Sequence, residues 1–319
     1  MRRALPMLFV LLFACREERP AAETFERAPI IVISMYGSTR IATPNIDALR
    51  ADGILYDNAY SHCPMTLPSH VSMLTGLLPT DHEVRNNLGY FDATKHPTLP
   101  QKLKERGYAT GAAVSSSVLR AETGLGAAFD FYDDPLAGER SGRATLVAAR
   151  QWIAQKQSQP FFFLFQIDEQ AANVDAIAGE LLAFLKKLGI YDRAIIVLTS
   201  DHGEGLGLSR EVLHVPLILK LPQRARAGNA VRAPAALQDL APTLLKLAGG
   251  KPDQGVDLLA PTLPQRRIYS ESGELKSLID YRHHYIQGTK DELYDIFNDP
   301  AETTDILSEE RRVTASMRE

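Results

Sequence analysis

The sequence predicts an α/β fold, a mostly parallel central sheet with helices on both faces, plus a small carboxy-terminal α+β subdomain. Three observations carry this. Short continuous runs such as Ile30 to Met35, Phe161 to Ile167 and Ala194 to Thr199 read as strands buried on both faces. Amphipathic segments of helical length stand between such runs, several closed by a glycine, as at Gly53, Gly107 and Gly189. The alternation itself implies crossover connections and therefore a parallel sheet. A chain of 319 residues, 45% hydrophobic and 23% charged, is long enough for one large α/β domain with an appendage and excludes collagen, coiled coil and wholesale disorder. With 35 Lys and Arg against 39 Asp and Glu, net -4, and no basic stripe along the chain, nucleic acid is not an expected partner.

Residues 1–15, MRRALPMLFVLLFAC, hold two arginines, an apolar run from Leu8 to Phe13, then a small residue and Cys15. This is the pattern of a secretory signal, too short to span a membrane as a mature helix. Leu12-Phe13-Ala14-Cys15 resembles a bacterial lipoprotein cleavage box with Cys15 as the lipidation site, the other reading being simple secretion. The expected location is the bacterial cell envelope as a periplasmic lipoprotein, touching membrane only through that anchor. Residues 16–28 form a polar tether. Residues 29–266 form the α/β domain and 267–319 the small subdomain. Only Cys63 remains besides Cys15, so no internal disulfide is expected.

Within the body, Ile30 to Met35 opens the sheet. Thr43-Pro44 then caps a helix ending at Gly53. Ile54 to Tyr60 reads as one strand and Pro68 to Leu77 as a helix. Thr98 caps a helix that ends at Gly107, before the strand Tyr108 to Val114. Ala144 to Gln155 is an amphipathic helix leading into Phe161 to Ile167; Val174 to Leu188 is another, leading into Ala194 to Thr199. The strand Val215 to Leu221 and the helix Leu237 to Leu247 complete the domain. From Ile268 the texture becomes short tyrosine-rich strands and turns, with a terminal helix from about Leu307.

Two segments carry chemistry. TSDHGEG, residues 199–205, follows a buried strand, so Asp201 and His202 project from a strand's carboxyl end, where ligands of such sheets bind. A carboxylate beside an imidazole suits a divalent metal or an oriented anion; the plainer alternative is a capping aspartate and a histidine satisfying its loop. The glycines at 203, 205 and 207 let backbone approach closely. In CPMTLPSHVSMLTG, residues 63–76, Thr66 and Ser69 flank Pro68 at a helix start, as a nucleophile or anion contact or simply as N-caps.

The run TPNIDALRADGILYDNAYSHCPMTLPSHVSMLTG resembles the amino-terminal region of the sulfatase family, within the alkaline phosphatase superfamily. TSDHGEG, VPLILKLP, LQDLAPTLLKLAG and DELYDIFNDPAETTDIL match later landmarks in the same order. The resemblance implies a hydrolase of sulfuric or phosphoric esters acting on a small or glycan-type ester. It places the nucleophile at Thr66, with His70 where the family has arginine, and Asp201 and His202 as ligands of a divalent ion (calcium, magnesium, zinc or manganese); Ser69 and Arg85, from their places around that helix, are the candidate substrate contacts. Many members carry a cysteine converted to formylglycine; no formylglycine is expected at Thr66, which would act as a direct alkoxide.

Three segments depart from the family pattern. No carboxylate lies between Pro29 and Asp47, where an aspartate pair is expected; DEQAANVD replaces an Asp-Pro-His segment; LSREVLHVPLIL replaces a His-Gly segment. Asp168, Glu169, His70 and His214 are the possible recruits, Asp168 otherwise a solvated carboxylate and His214 a structural group. His283 and His284 read as surface residues, and Arg85 with Asn86 and Asn87 is in position to line the cleft. A second expectation follows from these losses, a catalytically inactive relative serving as a binding or scaffold protein.

Overall fold

The computed structural model describes residues 24–36, 43–135, 137–169, 171–252 and 254–318. Cys15 and the expected signal segment lie outside the described residues. The amino-terminal half contains β1 (Ile30–Tyr36), α1 (Pro44–Ala51), β2 (Ile54–Tyr56), β3 (Ala59–Tyr60), α2 (Thr66–Thr75), α3 (Pro79–His82), α4 (Leu99–Lys104), β4 (Ala109–Val114), β5 (Phe131–Asp133), α5 (Gly142–Lys156) and β6 (Phe161–Asp168). Next come α6 (Ala171–Lys187), β7 (Ile195–Ser200), α7 (Arg210–Leu213), β8 (His214–Val215), β9 (Leu217–Lys220), β10 (Ala230–Val231), β11 (Ala235–Ala236) and α8 (Leu240–Leu247). The end of the chain holds β12 (Ile268–Ser272), β13 (Leu275–Ile279), β14 (His283–Gln287), β15 (Glu292–Asp295) and α9 (Arg311–Arg318).

Eight strands form the central sheet in the order β10-β2-β9-β7-β1-β6-β4-β5. All its pairings are parallel except those of β9, which runs against β7 and β2. Alternation along the central strands sends side chains into two separate cores. Ile30 and Val32 of β1, Phe162 and Leu164 of β6, and Ile195 and Val197 of β7 pack on one face with α2, α4 and α8. Ile31, Ile33, Phe163, Phe165, Ile196 and Leu198 pack on the other with α5 and α6. Every one of these twelve side chains is essentially inaccessible, which is why the strands read as unbroken apolar runs. Gly111 in β4 has a local reason: a Cβ there would stand 2.8 Å from the Trp152 ring, so its absence lets α5 lie close on the sheet.

A separate antiparallel sheet, β12-β13-β14-β15, occupies the carboxy-terminal part, and α9 begins at Arg311, a few residues later than the sequence suggests. The predicted strand Ile54 to Tyr60 divides. β2 joins the central sheet, whereas β3, after the turn at Asp57 and Asn58, joins a small sheet with β8 and β11. The cap at Thr43 also differs from expectation. Its side chain makes no capping bond; the buried Asp175 carboxylate of α6 instead accepts from the backbone N–H of Asn45 and Ile46 at 3.1 and 3.0 Å. Thr98 caps α4 as expected, in a reciprocal box with Gln101.

Candidate functional site

The helix α2 starts at Thr66, two residues before the expected Pro68, so the Thr66 hydroxyl sits on the first helical residue. The start of the helix is held from a third element, the Asn87 side chain accepting the Leu67 N–H at 3.0 Å. Sequence reading placed Asn87 near the cleft but missed this role; an asparagine some twenty residues along carries no local signal of it. Thr66 is half-buried and reachable from solvent.

His202 meets it from the loop after β7. Its Nδ1 donates to the Gly203 carbonyl at 2.8 Å, since a carbonyl can only accept. In the neutral ring Nε2 is then the lone-pair nitrogen, and it stands 3.4 Å from Thr66 Oγ1. The Asp201 carboxylate, 2% exposed, lies 3.6 Å from that same Nε2 and 4.0 Å from His70 Nδ1. His70 is wholly buried and donates from Nδ1 to the Thr66 carbonyl at 2.8 Å, and among the described residues its Nε2 has no partner. Burial drives its imidazole pKa down, more than the Asp201 charge raises it. His70 therefore stays neutral at neutral pH.

The arrangement is a hydroxyl beside the Nε2 of an oriented imidazole, with a carboxylate next to the ring. Gly203 shapes it by approach rather than by an unusual φ: a Cβ there would fall 2.2 Å from the Glu211 carbonyl. The close neighbour is thus the chain's own backbone, which also bonds Gly203 N–H to Val212 O at 2.7 Å. Gly203→Ala is expected to cost about 1–3 kcal/mol by crowding and to swing His202 off Thr66. Thermal unfolding and turnover measured together check this, and a variant matching the parent in both would show that the loop accommodates a methyl group.

The other candidates are placed differently. Ser69 is fully buried and tied to Ser61 Oγ at 3.0 Å and the Cys63 carbonyl at 3.2 Å, so it does not face a ligand. Arg85 makes a two-pronged bond to Glu271 at 2.6 and 2.8 Å, joining the segment after α3 to β12; Tyr269 OH donates to the same carboxylate at 2.9 Å. Cys63 is buried, and burial pushes its thiol up to about 12, far from a nucleophile's range. His214 is structural as expected, its Nε2 on the Asp57 carbonyl at 2.7 Å. His284 is not a surface residue. It is buried in β14 and paired with Glu302, because strand alternation turns it inward from its neighbour His283.

Asp168 ends β6 at the sheet's mouth, exposed to solvent. Even so, partial desolvation, followed by the charges of Glu139 and Asp201, raises its carboxyl. Family members are generally metal-dependent, and the donor set here can be tested against that requirement. Beside Thr66 stand one buried carboxylate and two imidazoles, and among the described residues no group of three His, Cys, Asp or Glu is arranged to hold an ion. A hard divalent cation needs several anionic oxygens to replace its water, and these residues do not fit one.

A cavity of about 720 Å³ adjoins the site through Ser200 and Gly203 and reaches Lys290, Glu292 and Tyr294 of the carboxy-terminal sheet; Thr66 itself does not line it. A mostly parallel sheet covered on both faces, with a separate antiparallel sheet at the carboxy-terminal end, is the architecture of the alkaline phosphatase superfamily. Within it, the chain belongs to the sulfatase family, whose model, described as Sulfatase, matches residues 21–169 and 166–250.

The chain is similar to N-acetylgalactosamine-6-O-sulfatase of Bacteroides thetaiotaomicron, 32% identical over 127 residues, which cover 34% of this chain and 25% of that protein. It is also similar to N-acetylgalactosamine-6-sulfatase of Rattus norvegicus, 25% identical over 340 residues, covering 74% of this chain and 64% of that one. The chain thus spans less than two thirds of the length of these curated relatives. A 340-position alignment that takes up 74% of a 319-residue chain contains long gaps in this chain, consistent with segments absent here. Among solved structures, one in complex with its substrate D-glucosamine-2-N,6-O-disulfate superposes with a TM-score of 0.79 at 16% identity, covering 92% of this chain and 96% of the other. A 2-O GAG sulfatase gives 0.75 at 18% identity, covering 92% and 90%.

Proposed function

We propose that this chain hydrolyses a sulfuric ester, or a phosphoric one, with Thr66 as nucleophile and His202 as its general base. The observation that carries it is the 3.4 Å approach of Thr66 Oγ1 to the lone-pair nitrogen of His202. His202 Nε2 takes the Thr66 proton as Oγ1 attacks the sulfur or phosphorus. The ester oxygen leaves with that proton, and a sulfated or phosphorylated Thr66 remains. Water then attacks the same centre, His202 taking its proton and returning it to Oγ1 as the inorganic anion departs. Asp201, 3.6 Å from Nε2, favours the imidazolium that forms in each half. His70, bonded to the Thr66 carbonyl, holds the first turn of the helix in place.

A sulfated sugar is the substrate class supported by the names of the relatives and by the disulfated glucosamine bound in a neighbour of the same fold. Release of sulfate from a panel of sulfated monosaccharides, and of phosphate from the matching phosphate esters, tests the reading. Because the donor set does not suit a hard cation, chelation is expected to change the rate less than about twofold. A rate abolished by chelator and restored by calcium, magnesium, zinc or manganese would instead assign Asp201 and His202 to a metal. The single carboxylate beside Thr66 also favours a second reading, a non-catalytic binding protein. Saturable binding of a sulfated sugar by a protein that releases no sulfate or phosphate from any ester in the panel would establish that one.

A further inference from the structure

In a sheet built by crossovers the helices run against the parallel strands, so α4, α5, α6 and α8 end on the face where β1, β4, β6 and β7 begin. Contacts tie that face together. Phe25 N–H donates to the Leu247 carbonyl at 2.7 Å, Arg106 Nε to Ala248 O at 3.1 Å and Arg193 to Gln157 O at 2.6 Å. Six exposed basic residues gather there, Arg27, Arg106, Lys186, Lys187, Arg193 and Lys251, and among the described residues none is ion-paired. The paired cations of the same face, Lys104, Arg224 and Lys246, already hold Asp130, Asp52 and Asp257. Among the described residues that leaves Glu26, Glu105 and Asp192 as exposed acids against the six. A chain of net charge -4 therefore presents one face of opposite sign.

We propose that this face lies against an anionic phospholipid bilayer, with the Thr66 site held at the far edge of the sheet, facing away from it. Charge complementarity is the first reason; each exposed cation near an anionic leaflet adds attraction that falls off within a Debye length. The second is where the described chain starts. Residue 24 follows a segment in which the sequence places a lipidation site at Cys15, and Phe25 is pinned by its backbone to this same face. A segment suited to reach a membrane thus leaves the fold where the cations are. A sulfated glycan is the competing occupant, but one held here would be some 20 Å from Thr66, the length of a six-residue strand. The orientation stands whether or not Thr66 turns over an ester.

The test uses the full chain in sedimentation with vesicles of phosphatidylcholine alone and of phosphatidylcholine mixed with phosphatidylglycerol. The triple variant Arg27→Gln, Lys187→Gln, Lys251→Gln is compared with Lys276→Gln on β13, with matched circular dichroism as the folding control. Binding to the mixed vesicles is expected to fall about fivefold per charge removed, approaching ~100-fold for the triple variant, and to be unchanged in Lys276→Gln. Binding to phosphatidylcholine alone, which reads the apolar leader, is expected to be the same for all three. Hydrogen exchange on mixed vesicles is expected to slow at residues 157–159 and 186–189 and not at 203–209. Equal binding of parent and triple variant to the mixed vesicles overturns the proposal. So does protection of 203–209 in place of the amino-edge turns, or heparin binding lost in the triple variant while phosphatidylglycerol has no effect.

Discussion

Thr66→Ala is expected to lower ester turnover by a factor of about 10³ or more while leaving the fold intact. The size of the effect follows from what is removed. Without Oγ1 no covalent intermediate forms, and water would have to attack the ester directly without the position that the helix start gives the hydroxyl. The fold is expected to survive because among the described residues Thr66 Oγ1 makes only the long contact to His202; the helix start is secured by Asn87 on the Leu67 N–H and by His70 on the Thr66 carbonyl, both untouched by the change. Thr66→Ser keeps the oxygen and should retain a measurable fraction of the rate. Asn87→Ala provides a further contrast. It loosens the helix start without removing the nucleophile, so its loss should be smaller and accompanied by a lower melting temperature. Release of sulfate or phosphate by the three variants, with melting measured on the same samples, checks all of this. Turnover in Thr66→Ala equal to the parent would move the chemistry to another group.

The strands of the central sheet were legible because burial on both faces leaves only apolar residues in the first four positions of β1, β6 and β7, and a run such as IIVI or FFFLF has little else to be. The division of residues 54–60 was not, because the turn at Asp57 and Asn58 differs from a strand only through its partners, β9 on one side and β8 on the other. Asp201, His202 and Thr66 were found from local pattern, and the structure brings them together. Ser69 looked equally eligible, since one helical turn holds both hydroxyls; only the packing of Ser61 and Cys63 against α2 shows that it points inward. The same limit applies to Arg85 and to the cap on α1. Glu271 and Asp175 lie 186 and 130 residues from their partners, and no reading of a local window can pair them.

Acid is expected to unfold this protein steeply, starting just below pH 6.5. Four of its eight histidines, His62, His70, His82 and His214, are held neutral in the fold, each with its pKa lowered chiefly by burial, His82 to about 3 and His214 to about 4. In the unfolded chain each titrates near 6.5. Between that value and the folded one, the unfolded state binds a proton that the native state refuses, so stability falls as the pH falls. Each such group contributes a slope of up to about 1.4 kcal/mol per pH unit; His82 and His214 alone approach ~2.5 kcal/mol per unit near pH 5, and His62 and His70 act in the same direction. A domain at the lower end of the usual range of about 5–15 kcal/mol cannot absorb that over much more than two units. Melting temperature should therefore be nearly flat from pH 8 to 7 and drop sharply from 6 to 5. Asp295, held down to about 2, affects stability only at lower pH, while the raised carboxyl of Asp168 works in the opposite sense to the histidines. His82→Gln removes one of the four titrating groups, so although it sacrifices the bond to Ser72 and lowers stability at pH 7, its slope between pH 6 and 5 should be shallower than the parent's by about one proton. A melting temperature unchanged from pH 7 to 5 would show that the fold accepts charged imidazoles at these positions. For His70 that would mean a cation one helical turn from Thr66, and the base beside the nucleophile would then have to work against a second positive charge.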